Sequence, residues 1–106
     1  MQLLPGTLDL LLLSTLRGGP EHGWGLAQTI QRRSGGALVV EEGSLYPALS
    51  RLKRGGWVRG EPGRSANNRP AIVYRLTAAG RRESVRQARL WREFAAGVAG
   101  VVMNNP

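Results

Sequence analysis

Three glycine doublets cut the first half of this chain into short pieces. Gly18-Gly19 with Pro20, then Gly35-Gly36, then Gly55-Gly56 each interrupt an apolar periodic run. Glycine gains too much backbone freedom, and proline loses too much, for a helix to continue through such pairs. The segments between them are therefore short helices that must pack on one another. Residues 1–6 form a lead-in. Thr7 is placed to cap the first helix, and Leu8 to Leu16 is apolar on nearly every face, so this helix should be buried on most sides. Nine residues that include Asp9 cannot span a bilayer, and no basic stretch precedes them as a signal peptide would require, so the expected compartment is the cytoplasm. A second helix begins at His22 or Gly23 and ends at Ser34, with Leu26, Ala27 and Ile30 on one face. Ala37 to Val40 is a brief β-prone run, expected as a short strand. Glu41-Glu42 then opens a third helix that runs to Arg54, acids being favoured at a helix N-terminus.

The second half has a different rhythm. Trp57 to Arg59 and Ala71 to Leu76 read as strands, the latter alternating Ile72, Tyr74 and Leu76 with Val73 and Arg75. Between them, residues 62–70 are expected as a loop too long for a two-residue turn. Thr77 is placed to cap a final helix reaching Val102, and Asn104-Asn105-Pro106 should fray. Three helices followed by a hairpin predict a mainly α protein with a small β-hairpin, the winged helix-turn-helix plan. The expected division is a winged-helix unit over 1–76 and a C-terminal helix over 77–103, packed as one compact unit.

Charge points to a partner. The formal net charge is +8, and twelve of the fifteen basic residues lie between Arg51 and Arg92 with only Glu61 and Glu83 to offset them. Such asymmetry suits a polyanion, because cations that neutralise phosphates release condensed counterions; an Arg-rich solvated surface would look the same. At 100° per residue, Leu45, Ala48, Leu49 and Leu52 share one face of the third helix. Tyr46, Pro47, Ser50, Arg51 and Arg54 then face away from the core. Arginine can take guanine bidentately, and hydroxyls serve bases or phosphates. Arg64, Asn67, Asn68 and Arg69, in the loop between the strands, suit the minor groove or flanking phosphates. Either element alone could be an ordinary wet surface.

Particular motifs carry a resemblance. Gly6-Thr7-Leu8-Asp9-Leu10-Leu11, His22-Gly23-Trp24-Gly25-Leu26, Glu42-Gly43-Ser44-Leu45-Tyr46-Pro47-Ala48-Leu49 with Arg51-Leu52, and Tyr74-Arg75-Leu76-Thr77 with Gly80 together resemble regulators of the PadR family. They cover residues 6 to about 92 in order. The resemblance implies a winged-helix homodimer that binds double-stranded operator DNA, usually as a repressor, and in several members is released by a small aromatic effector. The single helix after the wing resembles the family's short branch. The residues expected on DNA are then Ser44, Tyr46, Pro47, Ser50, Arg51, Arg54, Arg64, Asn67, Asn68 and Arg69, with His22 and Trp24 as further phosphate contacts. Trp24 stands where the family commonly has Tyr; an indole keeps a ring and an N–H but lacks a hydroxyl acceptor.

The final helix offers independent support for a dimer. Ala88, Trp91, Ala95, Val98 and Val102 recur at spacings of three and four, the seam of a helix pair. The same stripe could instead dock on its own domain. Small residues beside Trp91 leave space for a flat aromatic ligand at a two-fold axis, an effector pocket that the resemblance also implies; a packed tryptophan is the plain alternative. His22 is the only histidine and there is no cysteine, so neither a metal site nor a cofactor is expected. No nucleophile, base and orienting acid stand at enzymatic spacing, and no phosphate-cradling glycine loop follows a strand. The chain is therefore read as a non-enzyme. The competing class is a winged helix serving RNA or protein partners without operator specificity, although exposed sheet aromatics typical of RNA binders are not evident.

Overall fold

A computed structural model describes residues 6–103; most of the expected lead-in, 1–5, and the expected frayed end, 104–106, lie outside that range. The elements are α1 (Thr7–Leu16), β1 (Glu21–His22), α2 (Gly23–Arg33), α3 (Glu42–Arg54), β2 (Val58–Arg64), β3 (Pro70–Leu76) and α4 (Ala78–Val102). The four helices and a small antiparallel sheet form the expected mainly α winged-helix architecture. Helix α1 is its hub. It touches each of the other three helices, which is why its leucines point in several directions and still find cover. Leu8, Leu12, Leu13 and Leu16 are all buried, joined by Leu26, Ala27 and Ile30 from α2 and by Leu45, Ala48, Leu49 and Leu52 from α3. Fully burying each such side chain stabilises the fold by about 1.5–3 kcal/mol relative to exposure.

Three local expectations need correction. The N-cap of α1 is Gly6, in a left-handed conformation at φ 84°, and Thr7 lies inside the first turn with no side-chain cap formed. Ala37 to Val40 is not a strand: Val40 is buried and Leu38 packs against the core, but the segment connects α2 to α3 as coil. Its β-prone side chains serve burial rather than a ladder, and the place beside β3 opposite β2 is taken by another segment, the sheet order being β1-β3-β2. The short strand is instead Glu21–His22, whose residues pair with Tyr74 and Val73.

The hairpin is also longer than expected. Pro62-Gly63-Arg64 continue β2 opposite Ile72, Ala71 and Pro70, which leaves only Ser65 to Arg69 as the turn. Proline is tolerated because β2 is the edge strand, where a missing N–H need not break a ladder. The turn is closed by Ser65 N–H donating to the Arg69 carbonyl (2.9 Å) and Asn68 N–H donating to the Ser65 carbonyl (2.9 Å). Asn68 takes the left-handed conformation (φ 59°) that asparagine tolerates better than most residues.

Helix α4 starts as expected. Thr77 Oγ1 accepts from Gly80 N–H at 2.9 Å and donates to the Gly56 carbonyl at 2.6 Å. Gly80 then crosses the backbone of Trp57 so closely that a Cβ there would overlap the Trp57 carbonyl. Ser84, one turn on, is fully buried. Farther along, Arg86 and then Gln87 bond the Glu83 carboxylate and hold it down to about 2. The final turns of α4 are exposed, and its length contributes to the 54 Å long axis of a molecule 28 × 22 Å across.

Candidate nucleic-acid interface

Helix α3 carries the expected division of faces. Its four core positions are buried, while Ser44, Tyr46, Pro47, Ser50, Arg51 and Arg54 are exposed. Helical geometry places Pro47, Ser50 and Arg54 nearest the centre of the outward face and sets Tyr46 and Arg51 on opposite flanks. Pro47 also brings no amide for the carbonyl four residues before it, so the outward surface carries an acceptor as well as donors.

The two flanks meet different neighbours. Tyr46 leans on α2: its Cε1 lies where a Cβ on Gly23 would be only 2.9 Å away, so glycine at position 23 is what lets the ring settle there. Burial, and then the neighbouring Tyr46, push the Tyr74 phenol above its ordinary range, which keeps the Tyr74 hydroxyl protonated and able to donate. Arg51 turns the other way, and its Nη2 donates to Asp9 Oδ1 of α1 at 3.0 Å.

The wing folds back toward α2 and α3. A cleft of about 680 Å³ lies between them, lined by His22, Trp24, Tyr46, Asn67, Arg69 and Tyr74 among others. Residues scattered over five decades of sequence are thus brought to one concave surface. Trp24 presents part of its indole there, 41% exposed. His22 is differently employed. Its Nδ1 accepts from Gly25 N–H at 3.1 Å as the N-cap of α2, and its Nε2 lies 3.3 Å from Glu21 Oε1. Both ring nitrogens are therefore engaged within the chain, and the imidazole fixes the start of the helix that carries Trp24. At the wing, Arg64 donates to the Asn68 carbonyl at 3.1 Å, so this arginine braces the turn. Among the described residues Arg54 and Arg69 make no ion pair, whereas Arg75 is matched by Glu61 at 3.4 Å. Cations without an acid partner thus stand on the outward face of α3 and on the wing.

Two participants escaped the sequence reading. Gln28 lines the same cleft; it follows Trp24 by one helical turn, and that i,i+4 spacing was the available signal. Asp9 is the other, and a lone acid in a leucine helix gave only a weak hint of its long-range partner.

The expected seam on α4 lies partly in the open. Ala88 and Ala95 are half-buried, while Trp91, Val98 and Val102 are 50%, 44% and 63% exposed. Leu90, Phe94 and Val101 are exposed beside them. The apolar stripe is therefore wider than Ala88, Trp91, Ala95, Val98 and Val102, and Trp91, Phe94, Val98 and Val101 repeat the same three-four spacing one flank over. The Trp91 and Phe94 rings sit 6.0 Å apart at 38°. A shallow groove of about 260 Å³ runs from Thr7 and Leu10 to Leu90, Trp91 and Phe94. Among the described residues no helix is long and apolar enough to cross a membrane, and no group of His, Asp and Glu is placed to hold a metal ion.

Comparison with known proteins agrees with this geometry. No curated protein matches the sequence. Solved structures do: a PadR-like transcriptional regulator from Bacillus cereus superposes with a TM-score of 0.82 at 21% identity, covering 99% of this chain and 100% of that one. A transcriptional regulator from Clostridium thermocellum gives 0.81 at 24% identity, covering 92% and 91%. A PadR family regulator from Eggerthella lenta gives 0.76 at 29% identity, covering 94% and 85%. The PadR-like transcriptional regulator profile itself matches residues 12–86. That stretch takes in the helical core, α3, the wing and the docked start of α4, and the chain belongs to the PadR-like family of DNA-binding transcriptional regulators.

Proposed function

We propose that the protein is a homodimeric repressor that reads an operator with α3 and grips flanking phosphates with the wing. The observation that supports this most directly is the pairing of an outward α3 face bearing Ser50 and unpaired Arg54 with a wing cleft bearing Tyr46, Asn67 and unpaired Arg69. Ser44, Pro47, Arg51 and Asn68 border those contacts, Arg64 supports the wing turn, and Trp24 adds an N–H donor at the cleft. His22 serves the same surface by capping α2. Residues 77–103 supply the dimerisation helix, with Trp91, Phe94 and Val98 at its centre. A dimer of this kind reads half-sites about one helical turn, ~10 bp, apart.

A titration against duplex DNA from upstream of its own gene, beside duplex RNA and a scrambled duplex, tests the reading. Arg54→Ala should cost ~1–3 kcal/mol on the upstream duplex and relax specificity at one position. Arg69→Ala should weaken every duplex alike and flatten the salt dependence. Equal affinity for all three nucleic acids would refute operator reading.

The groove beside Trp91 favours one addition: a planar aromatic effector bound at the dimer axis. Such a ligand releases DNA only if it prefers the dimer whose recognition helices are wrongly spaced. Planar aromatics should quench Trp91 fluorescence saturably in a protein whose Trp24 and Trp57 are replaced by Phe. Quenching that never saturates would leave Trp91 as an interface residue alone.

A further inference from the structure

Resting on the reading that α3 faces DNA, we propose that Asp9 is a specificity-determining residue of that interface. Its carboxylate claims one end of the Arg51 guanidinium and withholds that arginine from indiscriminate phosphate binding. The two residues are 42 positions apart and belong to different helices, yet Arg51 Nη2 and Asp9 Oδ1 are 3.0 Å apart. Asp9 is the one charged residue in α1, and it sits in that helix's first turn, where the helix dipole favours a negative charge. Its side chain is only 27% exposed, against 52% for Arg51, so the acid is the fixed partner and the arginine the one with reach.

The chemistry of the pair decides what it can bind. A guanidinium has five N–H donors, and Asp9 engages one edge. The free edge can still donate to the acceptors of a base, a guanine in particular. A phosphate meets a different situation. The pair has no net charge, so it releases no condensed counterion, and a phosphate drawn to Arg51 must also approach the Asp9 carboxylate. Hydrogen bonding survives while bulk electrostatic attraction is cancelled, which disfavours the wrong ligand by repulsion as well as favouring the right one. Arg69 of the wing, with no acid beside it, keeps its full attraction for phosphate. Arg51 is thereby reserved for sequence, as Arg54 is by its place at the centre of the outward face, and the wing supplies general affinity.

Salt titrations on a scrambled duplex and on the upstream duplex distinguish these roles. Asp9→Asn frees the Arg51 charge. On the scrambled duplex it should raise affinity severalfold at low salt and steepen the log K against log salt slope by about 1.8, the value for two added phosphates on duplex DNA, one for each protomer of the dimer. The ratio of upstream to scrambled affinity should fall. An unchanged slope and ratio would overturn the inference. If Asp9→Asn alone fails to fold, Asp9→Ser together with Arg51→Gln, which removes both charges and leaves the net charge unchanged, carries the test. It should leave the scrambled-duplex slope unchanged and lower upstream affinity, and a slope flattened by about 1.8 would show that Arg51 of each protomer already neutralised a phosphate. Wild-type protein that binds no duplex at any salt would defeat the underlying DNA reading; wild-type binding with unaltered variants would defeat only the role of Asp9.

Discussion

Helix α1 and the distal half of α4 are built from similar apolar material and end in opposite surroundings. In α1, Leu12 and Leu13 are wholly buried and Leu16 nearly so. In α4, Phe94, Val98, Val101 and Val102 are between 44% and 75% exposed. Composition does not separate them; position does. Helix α1 lies where α2, α3 and α4 converge, whereas α4 borders α1 as far as Phe94 and its final turns lie past that contact, exposed. Contiguous exposed apolar surface of this kind marks an interaction site in a soluble protein. Apolar side chains thus build the domain in one helix and form an exposed surface in the other.

The comparison can be broken in the core first. Leu12→Ala should lower unfolding free energy by about 2–5 kcal/mol at every protein concentration, because it leaves a cavity at the meeting point of the helices. Denaturant titration would show it as a lower midpoint. A loss that vanished on dilution would mean that α1, too, is stabilised by assembly.

Substitution on α4 sharpens the other side. Val98→Asp would bury an unpaired charge in a helix pair, so it should dissociate the dimer and remove the concentration dependence of the melting temperature. The diluted domain should remain folded as wild type does. Phe94→Ala should weaken association by less, and measurably more than Ala88→Ser, if the stripe runs through Trp91, Phe94 and Val98. Sedimentation equilibrium separates the three. Equal effects at positions 88 and 94 would restore the narrower seam through the alanines.

The α3 face and the wing differed in how readily they could be read from sequence. A helix has one period, and Leu45, Leu49 and Leu52 declare its buried side without help from the rest of the chain. The wing needed its partner strand. Pro62 and Gly63 look like loop residues in isolation, and they become strand residues because β3 lies beside them and the outer edge is free. Ala37 to Val40 failed in the opposite sense: it has the side chains of a strand, and Leu38 and Val40 use them to cover the core from a coil segment. His22 illustrates a third case: the sequence marks it as solitary, but the backbone of Gly25 gives it a partner three residues away.

Residue order alone was enough for the helix breaks, the core face of α3, the Thr77 cap and the family motifs. All of these depend on interactions within a few positions of the chain, where dihedral limits and side-chain periodicity act directly. The Arg51–Asp9 pair, the cleft joining Trp24, Tyr46 and Arg69, and the contact of Gly80 with Trp57 depend on how separate elements pack. Their partners are brought together only when burial of α1 sets the distances between helices, and no local period encodes that.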